Sequence, residues 1–401
     1  MNHSAKTHQP IERFENEPGD DTPVVIIGGG VIGCAAAREL ASDHRVLLLE
    51  RDQIASGATA RAAGEVTMEP SYTDYPAIAD YATDFFRSYD GTGSFEYTET
   101  PSVELVTPDR EDEARARVDR LQADGVGATF FKPSEVEKRW PRIDSSSFAG
   151  AVRFEDTGHL DPYTLTTTLQ SDAEACGAAF ETDVTVTDIL VDDQQITGVR
   201  TENGTVCADS VIVATGWRAN ELLGPLLELP VRPYRTQCLV LRPESSIPDS
   251  FPMGWIPGEH VYFRREANGD LLVGGWSFAE DDPEAASERA DEAFQDHVAS
   301  LVPGFLRTDG ALRVVDSWAG IDGATPDTRP IIDSPEDSPD GLVLATGFHG
   351  RGVMSAPVAG RLIRSLVTAE DQPFPSEPFS LARFSLRSPD FEFLSISAGG
   401  D

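Results

Sequence analysis

The segment running from Val24 to Gly33, VVIIGGGVIG, limits the fold more than any other part of this chain. Thr22–Ile27 is apolar and β-branched, Val31–Ser42 reads as a helix, and Val46–Glu50 reads as a second buried strand. Strand, glycine turn, helix and strand in that order make a βαβ unit with a parallel sheet. Gly28, Gly30 and Gly33 stand as G-x-G-x-x-G between the strand and the helix, with Val31 and Ile32 in the same turn. Gly28 permits the tight turn and Gly30 lets the backbone approach a pyrophosphate seated on the helix N-terminus. Gly33 allows the helix to pack closely on the strand. Glu50 closes the second strand, twenty residues after Gly30, where a carboxylate can bind ribose hydroxyls, and Arg51 follows it. A glycine-rich turn without a ligand is the plainer alternative, but it leaves the placement of helix and acid unexplained. The unit predicts a dinucleotide without deciding between NAD and FAD.

The next segment tilts that choice. Ile54–Glu65 reads IASGATARAAGE, with small residues and hydroxyls at Ser56 and Thr59, suited to a chain pressed against a pyrophosphate and a flavin. Arg61 can pair with phosphates, and Ala63, Gly64 and Glu65 complete the run. A flexible loop would look similar, but an NAD enzyme has no need of the segment.

Along the rest of the chain, 401 residues suit two interleaved domains better than one core. A meander is expected near Thr182–Val191, Thr197–Glu202 and Thr205–Cys207, then a buried strand at Ser210–Thr215. Val231–Trp276 alternates as antiparallel strands do. Helices are expected at Glu111–Ala123, Ser134–Trp140, Glu284–Leu301 and Val353–Leu366, with a strand at Leu342–Thr346. The dinucleotide domain therefore takes residues 22–71, 149–220 and 318–370. The substrate domain takes 72–148 and 221–317. Residues 1–21 read as a disordered leader, and 371–401 as a tail draped over the surface. The expected class is α+β, with a Rossmann-type βαβ domain and a mostly antiparallel β domain.

Charge bears on partners. The formal charge is −36, with 68 acids against 32 bases, and lysine occurs only at Lys6, Lys132 and Lys138. Such a surface repels nucleic acid and anionic membrane. Molar salt shortens the Debye length to roughly 3 Å and screens this self-repulsion, so the composition points to a high-salt cytoplasm. No apolar run is long enough to span a bilayer. Cys34, Cys176, Cys207 and Cys238 form no CxxC pair, and no metal site is readable.

The motifs together resemble the D-amino-acid oxidase, glycine oxidase and sarcosine oxidase family of flavoproteins, nearest its sarcosine-oxidase-β-like branch. They are VVIIGGGVIG, SGATARAAG, GHLDPYTL at Gly158–Leu165, VIVATG at Val211–Gly216, WAGIDGATPDTRPIID at Trp318–Asp333 and LATGFHGRGVMSAPVAG at Leu344–Gly360. The resemblance implies a glutathione-reductase-like FAD domain. It further implies cofactor contacts at Val184, Ala214, Thr215, Gly216, Trp217, Gly320, Gly347, His349, Gly350, Arg351, Gly352, Val353 and Met354. In the family the helix after the last glycine turn points its N-terminus at the flavin, where His349 or Arg351 would add a cation. Tyr262 matches a tyrosine that binds the substrate carboxylate in glycine oxidase, and Arg264 shares its strand face. Two departures stand out. Asp322 occupies the place of a carboxylate-binding arginine, and Met354 that of a lysine. Asp322 therefore either faces a cationic substrate amine or caps a turn beside Gly323. Arg61 stands where dimethylglycine dehydrogenases carry a covalent histidine, so FAD is expected to be held non-covalently.

The resulting expectation is oxidation of a small amine or amino-acid-like substrate by hydride transfer to FAD. Tyr262, Asp322, His349, Arg351 and Arg264 would form the catalytic wall, and O2 or an electron carrier would be the acceptor. An amine reacts in its neutral form, so positioning and electrostatics count for more than a dedicated base. The rivals are a 2-hydroxy-acid or polyol-phosphate dehydrogenase using His260 or His349 as base, a non-catalytic FAD-binding subunit, and an NAD protein without flavin. Assembly into a homo- or hetero-oligomer is left open.

Overall fold

The computed structural model describes residues 23–91, 93–224 and 226–396. The expected leader lies outside the described residues. Strand Val24–Ile27 is buried along its whole length and sits in a six-stranded sheet between the parallel strands Ser210–Val213 and Val46–Leu49. Leu342–Thr346 and Ile331–Asp333 extend the sheet on one side and Ala179–Glu181 on the other. Period-two geometry splits the strand between two cores. Val24 and Ile26 pack under helices Val31–Leu40 and Gly352–Thr368, while Val25 and Ile27 face the core shared with the meander. Burial on both faces explains why these strands read as unbroken apolar runs.

The meander forms from Val186–Asp192, Gln195–Thr201 and Gly204–Cys207, antiparallel throughout. A second, eight-stranded sheet runs Arg313–Ala324, Arg232–Arg242, Leu271–Ala279, Val261–Arg265, Met253–Ile256, Ser102–Val106, Gly150–Phe154 and Ala128–Phe131. The parallel sheet and this mainly antiparallel one confirm the expected α+β class. Two of its strands run past the boundaries read from the sequence, since Gly150–Phe154 follows residue 149 and Arg313–Ala324 straddles residue 318.

Other differences have local causes. The helix expected over Glu284–Leu301 covers only Glu292–Leu301. The buried Arg235 guanidinium takes the carbonyls of Ser287 (3.1 Å) and Arg289 (2.6 Å) and the carboxylate of Asp291 (3.0 Å). Carbonyls turned inward to a cation are not available to a helix ladder. Helices Pro76–Ser88 and Pro162–Ala175 escaped the pattern reading. Both open on proline, and Asp161 caps the second by accepting from the Thr164 N–H. The tail does not merely drape over the surface. Phe379 and Leu381 are fully buried. Arg383 pairs with Asp327, and the Phe393 ring stacks 5.3 Å from Tyr234.

Candidate active site

A cavity of about 1240 Å³ opens where the carboxyl ends of the parallel strands meet the eight-stranded sheet. Open α/β sheets bind ligands at such a position. The volume exceeds the roughly 300–1,000 Å³ usual for drug-sized ligands and suits something longer, such as a dinucleotide with a substrate beside it.

At one end lies the first glycine turn. Gly28 has φ +112°, and a Cβ there would stand 2.4 Å from the Ala214 carbonyl oxygen, so only glycine fits. A Cβ on Gly33 would meet the Gly28 carbonyl at 1.9 Å, so helix and turn are in backbone contact; Gly33 packs beneath the cavity and does not line it. Helix Val31–Leu40 has no side-chain cap and no acid in its first turn. Its N-terminal residues Gly30, Val31 and Ile32 line the cavity, and Thr59 Oγ1 accepts from the Val31 N–H (3.1 Å). Glu50 is also on the wall and accepts from the N–H groups of Gly29 (2.6 Å) and Asp52 (2.8 Å). Arg51, Ser56, Arg61, Ala63, Gly64, Val184, Ala214, Thr215, Gly216 and Trp217 continue the lining, with Thr215 Oγ1 buried and unpartnered. Arg61 also forms an ion pair with Glu288 (3.4 Å), and its carbonyl accepts from the Trp318 indole.

The second glycine turn lies at the far end. Gly347, His349 and Gly350 all have positive φ and reverse the chain into helix Gly352–Thr368. That helix too lacks a side-chain cap and a first-turn acid. Gly350, Arg351, Gly352, Val353 and Met354 line the cavity, whereas Gly347 and His349 do not. Two helix N-termini whose own cap residues offer no side-chain acceptor thus converge on one cavity, each bringing a positive dipole end. Arg351 is buried. Its guanidinium donates to the Thr328 carbonyl (2.6 Å) and hydroxyl (3.0 Å), and burial lowers its pKa. Two such helix ends and a cation resting on neutral oxygens suit the phosphates and the reduced ring of FAD.

The substrate wall comes from the eight-stranded sheet. Tyr262 lies on it and reaches Cys238 Sγ at 3.4 Å; burial drives its phenol pKa well above 10.0, so the ring stays neutral. Asp322 also lies on the wall, but its oxygens accept from the N–H groups of Gly323 and Gly350, each at 2.7 Å. It ties the long strand to the second glycine turn, so of the two sequence readings the turn-capping one describes its contacts. Burial raises its pKa against those two N–H groups.

Two expected wall residues are placed elsewhere. His349 is buried between Tyr234 and Phe393, and burial first, then Arg351, lowers its pKa to about 4, so the imidazole is neutral. Arg264 lies behind the wall and donates to the Ala63 carbonyl (2.7 Å), holding the flavin-side segment in place. His260 is exposed at a turn and does not line the cavity.

Several lining residues were not anticipated. Tyr234, Thr236 and Ser277 lie on the wall. Tyr234 and Thr236 share period two with Cys238, a signal present in the sequence. Ile396, from the tail, lines the cavity beside Gly350. No local pattern could have announced it, because its partner is far away in sequence.

Residues 23–366 match the family described as FAD dependent oxidoreductase, DAO. The chain is 28% identical to glycine oxidase of Pseudomonas aeruginosa, over 90% of this chain and 98% of that one. It is 27% identical to 4-methylaminobutanoate oxidase (formaldehyde-forming) of Paenarthrobacter nicotinovorans, over 95% of this chain but 47% of that protein, so it spans about half that relative's length. L-proline dehydrogenase from P. horikoshii shares the fold, with a TM-score of 0.83 at 24% identity over 91% of this chain and 98% of that one.

Proposed function

Because the chain belongs to the DAO family of FAD-dependent oxidoreductases, we propose that it oxidises a small secondary amine, such as an N-methyl amino acid, or a D-amino acid. Bound FAD supplies the hydride acceptor. The observation that carries the amine reading is the lining of the cavity. Among the described residues no histidine lines it, so a hydroxyl substrate would find no imidazole base there. Tyr262 and Tyr234 hold the substrate by shape and hydroxyl contact. Arg351 and the helix N-terminus stabilise negative charge on the reduced cofactor. Ile396 of the tail covers part of the cavity wall beside Gly350. Names of relatives favour the same class: one acts on glycine and one on 4-methylaminobutanoate.

Anaerobic bleaching of the bound flavin across N-methyl amino acids, D-amino acids, L-proline and 2-hydroxy acids tests this. Amines should bleach it and hydroxy acids should not; the reverse order overturns the reading. FAD is held non-covalently in this proposal, since Arg61 faces the cavity in place of an attachment residue. Acid precipitation should leave the flavin in solution, and a yellow pellet would refute that point.

The sarcosine-oxidase-β-like placement, a cytoplasmic location and a high-salt habitat belong to the same proposal. No helix among the described residues is long and apolar enough to cross a membrane. With −36 charges unscreened, melting temperature should rise by several degrees between low and molar KCl. A flat profile sinks the high-salt reading.

A further inference from the structure

Glu65 is the one acid of the flavin-side segment, and it stands on the short strand Glu65–Val66. It lines the cavity, its side chain is half-buried, and Oε1 is shut off from solvent with no hydrogen-bond partner among the described residues. A buried carboxylate is normally paired or hydrogen-bonded, so an unpaired oxygen here calls for a partner that arrives from outside.

The neighbouring groups do not supply one. Arg264 is the nearby cation, but its three nitrogens are directed to the Ala63 carbonyl, the Arg265 carbonyl and the Glu266 carboxylate. Tyr262, on the same strand as Arg264, and Cys238, on the next strand but one of the sheet, contact each other, and burial keeps both protonated. His159, opposite Glu65 in its ladder, is held neutral, its pKa lowered to about 4 by burial first and then by Arg264 and Arg265. Burial, only partly opposed by Arg264, raises the Glu65 carboxyl to about 8.

We propose that Glu65 receives the substrate's ammonium group and takes its proton. In its ionised form Glu65 pairs with the protonated amine; an N–H bond breaks and an O–H bond forms on Glu65. The nitrogen keeps its electron pair. That pair becomes the C=N bond as the Cα hydride leaves for the cofactor, and water hydrolyses the resulting iminium. A carboxyl shifted towards the amine's own range makes the proton transfer less uphill than an ordinary carboxylate would. The proposal rests on the amine reading above and adds the residue that prepares the amine.

The test uses FAD-loaded enzyme and Glu65→Gln, which keeps shape and removes the base. At about pH 7.5 its kcat/KM should fall about a hundredfold, and near pH 10, where solvent deprotonates the amine, it should recover to within about threefold of wild type. Glu65→Asp should keep most of the activity without that pH rescue. A deficit equal at every pH overturns the proposal.

Two readouts do not depend on turnover. tert-Butylamine carries an ammonium proton but no Cα hydrogen. Calorimetric titration should show wild type binding it more than about tenfold tighter than Glu65→Gln, the effect of removing a buried ion-pair partner. Equal affinity overturns the proposal. The second readout is stability. The folded protein holds this proton more tightly than the unfolded chain, whose carboxyl stays near 4.5. The stability contributed by protonated Glu65 is therefore full below 4.5 and lost as pH rises towards about 8. The melting temperature of Glu65→Gln should gain on wild type across that window, and parallel curves would contradict the enclosed, unpaired state of Oε1. If no amine bleaches even the wild type, the functional reading fails; if wild type bleaches and the variant keeps its affinity and pH profile, only the role of Glu65 fails.

Discussion

Gly28→Ala should yield protein with little or no bound FAD and a clearly lower melting temperature. The new Cβ meets the Ala214 carbonyl oxygen at 2.4 Å and its carbon at 2.8 Å, both backbone atoms of the neighbouring strand end. A φ of +112° adds strain that alanine tolerates poorly. Together these cost about 2–4 kcal/mol, and relief requires the turn to move away from the very place where the pyrophosphate would sit. Gly304→Ala is the control. A Cβ there meets nothing within 4 Å, φ is not positive, and this exposed residue lies away from the cavity, so occupancy and stability should stay near wild type. Flavin absorbance per protein and a thermal melt decide the matter. Full occupancy in Gly28→Ala would mean that this turn does not carry the cofactor.

The second large effect is expected at Asp322. Asp322→Ala leaves the Gly323 and Gly350 N–H groups without their acceptor and unties the long strand from the second glycine turn. The cost is about 1–3 kcal/mol, expressed chiefly as a misplaced helix N-terminus and weakened FAD retention. Asp322→Asn keeps one acceptor oxygen and should fall between. Asp322→Arg adds a cation to a wall that already holds Arg351 and should resemble the alanine variant or be worse. From sequence position alone the arginine variant would be expected to improve simple amino acids by restoring a carboxylate anchor, and such a gain would refute the turn-tying role. Arg351→Met is the useful contrast. Its guanidinium leans on Thr328 and holds no strand to the turn, so FAD content should persist. The reduction potential should drop by roughly 30 mV, corresponding to about 1.4 kcal/mol lost from the reduced cofactor.

By itself the sequence determined whatever short-range geometry controls. The strand, turn and helix around Gly28, Gly30 and Gly33 follow from residue type and spacing, because a positive φ and a backbone contact leave glycine no substitute. The meander, the Glu111–Ala123 helix and the Leu342–Thr346 strand follow from periodicity for the same reason, since each pattern matches one local conformation. The tertiary structure decided which polar residues are spoken for. Asp322, Arg264 and Arg235 all look free in the sequence, yet each is claimed by backbone groups distant along the chain. His349 looks catalytic and is instead buried between two aromatic rings. Glu65 reads as one polar residue in a small-residue loop, and only the enclosure of its Oε1 near Arg264, Tyr262 and Cys238 leaves that oxygen unpaired on the cavity wall. Local pattern reports conformation, whereas the charge state and availability of a side chain depend on what the rest of the chain brings against it.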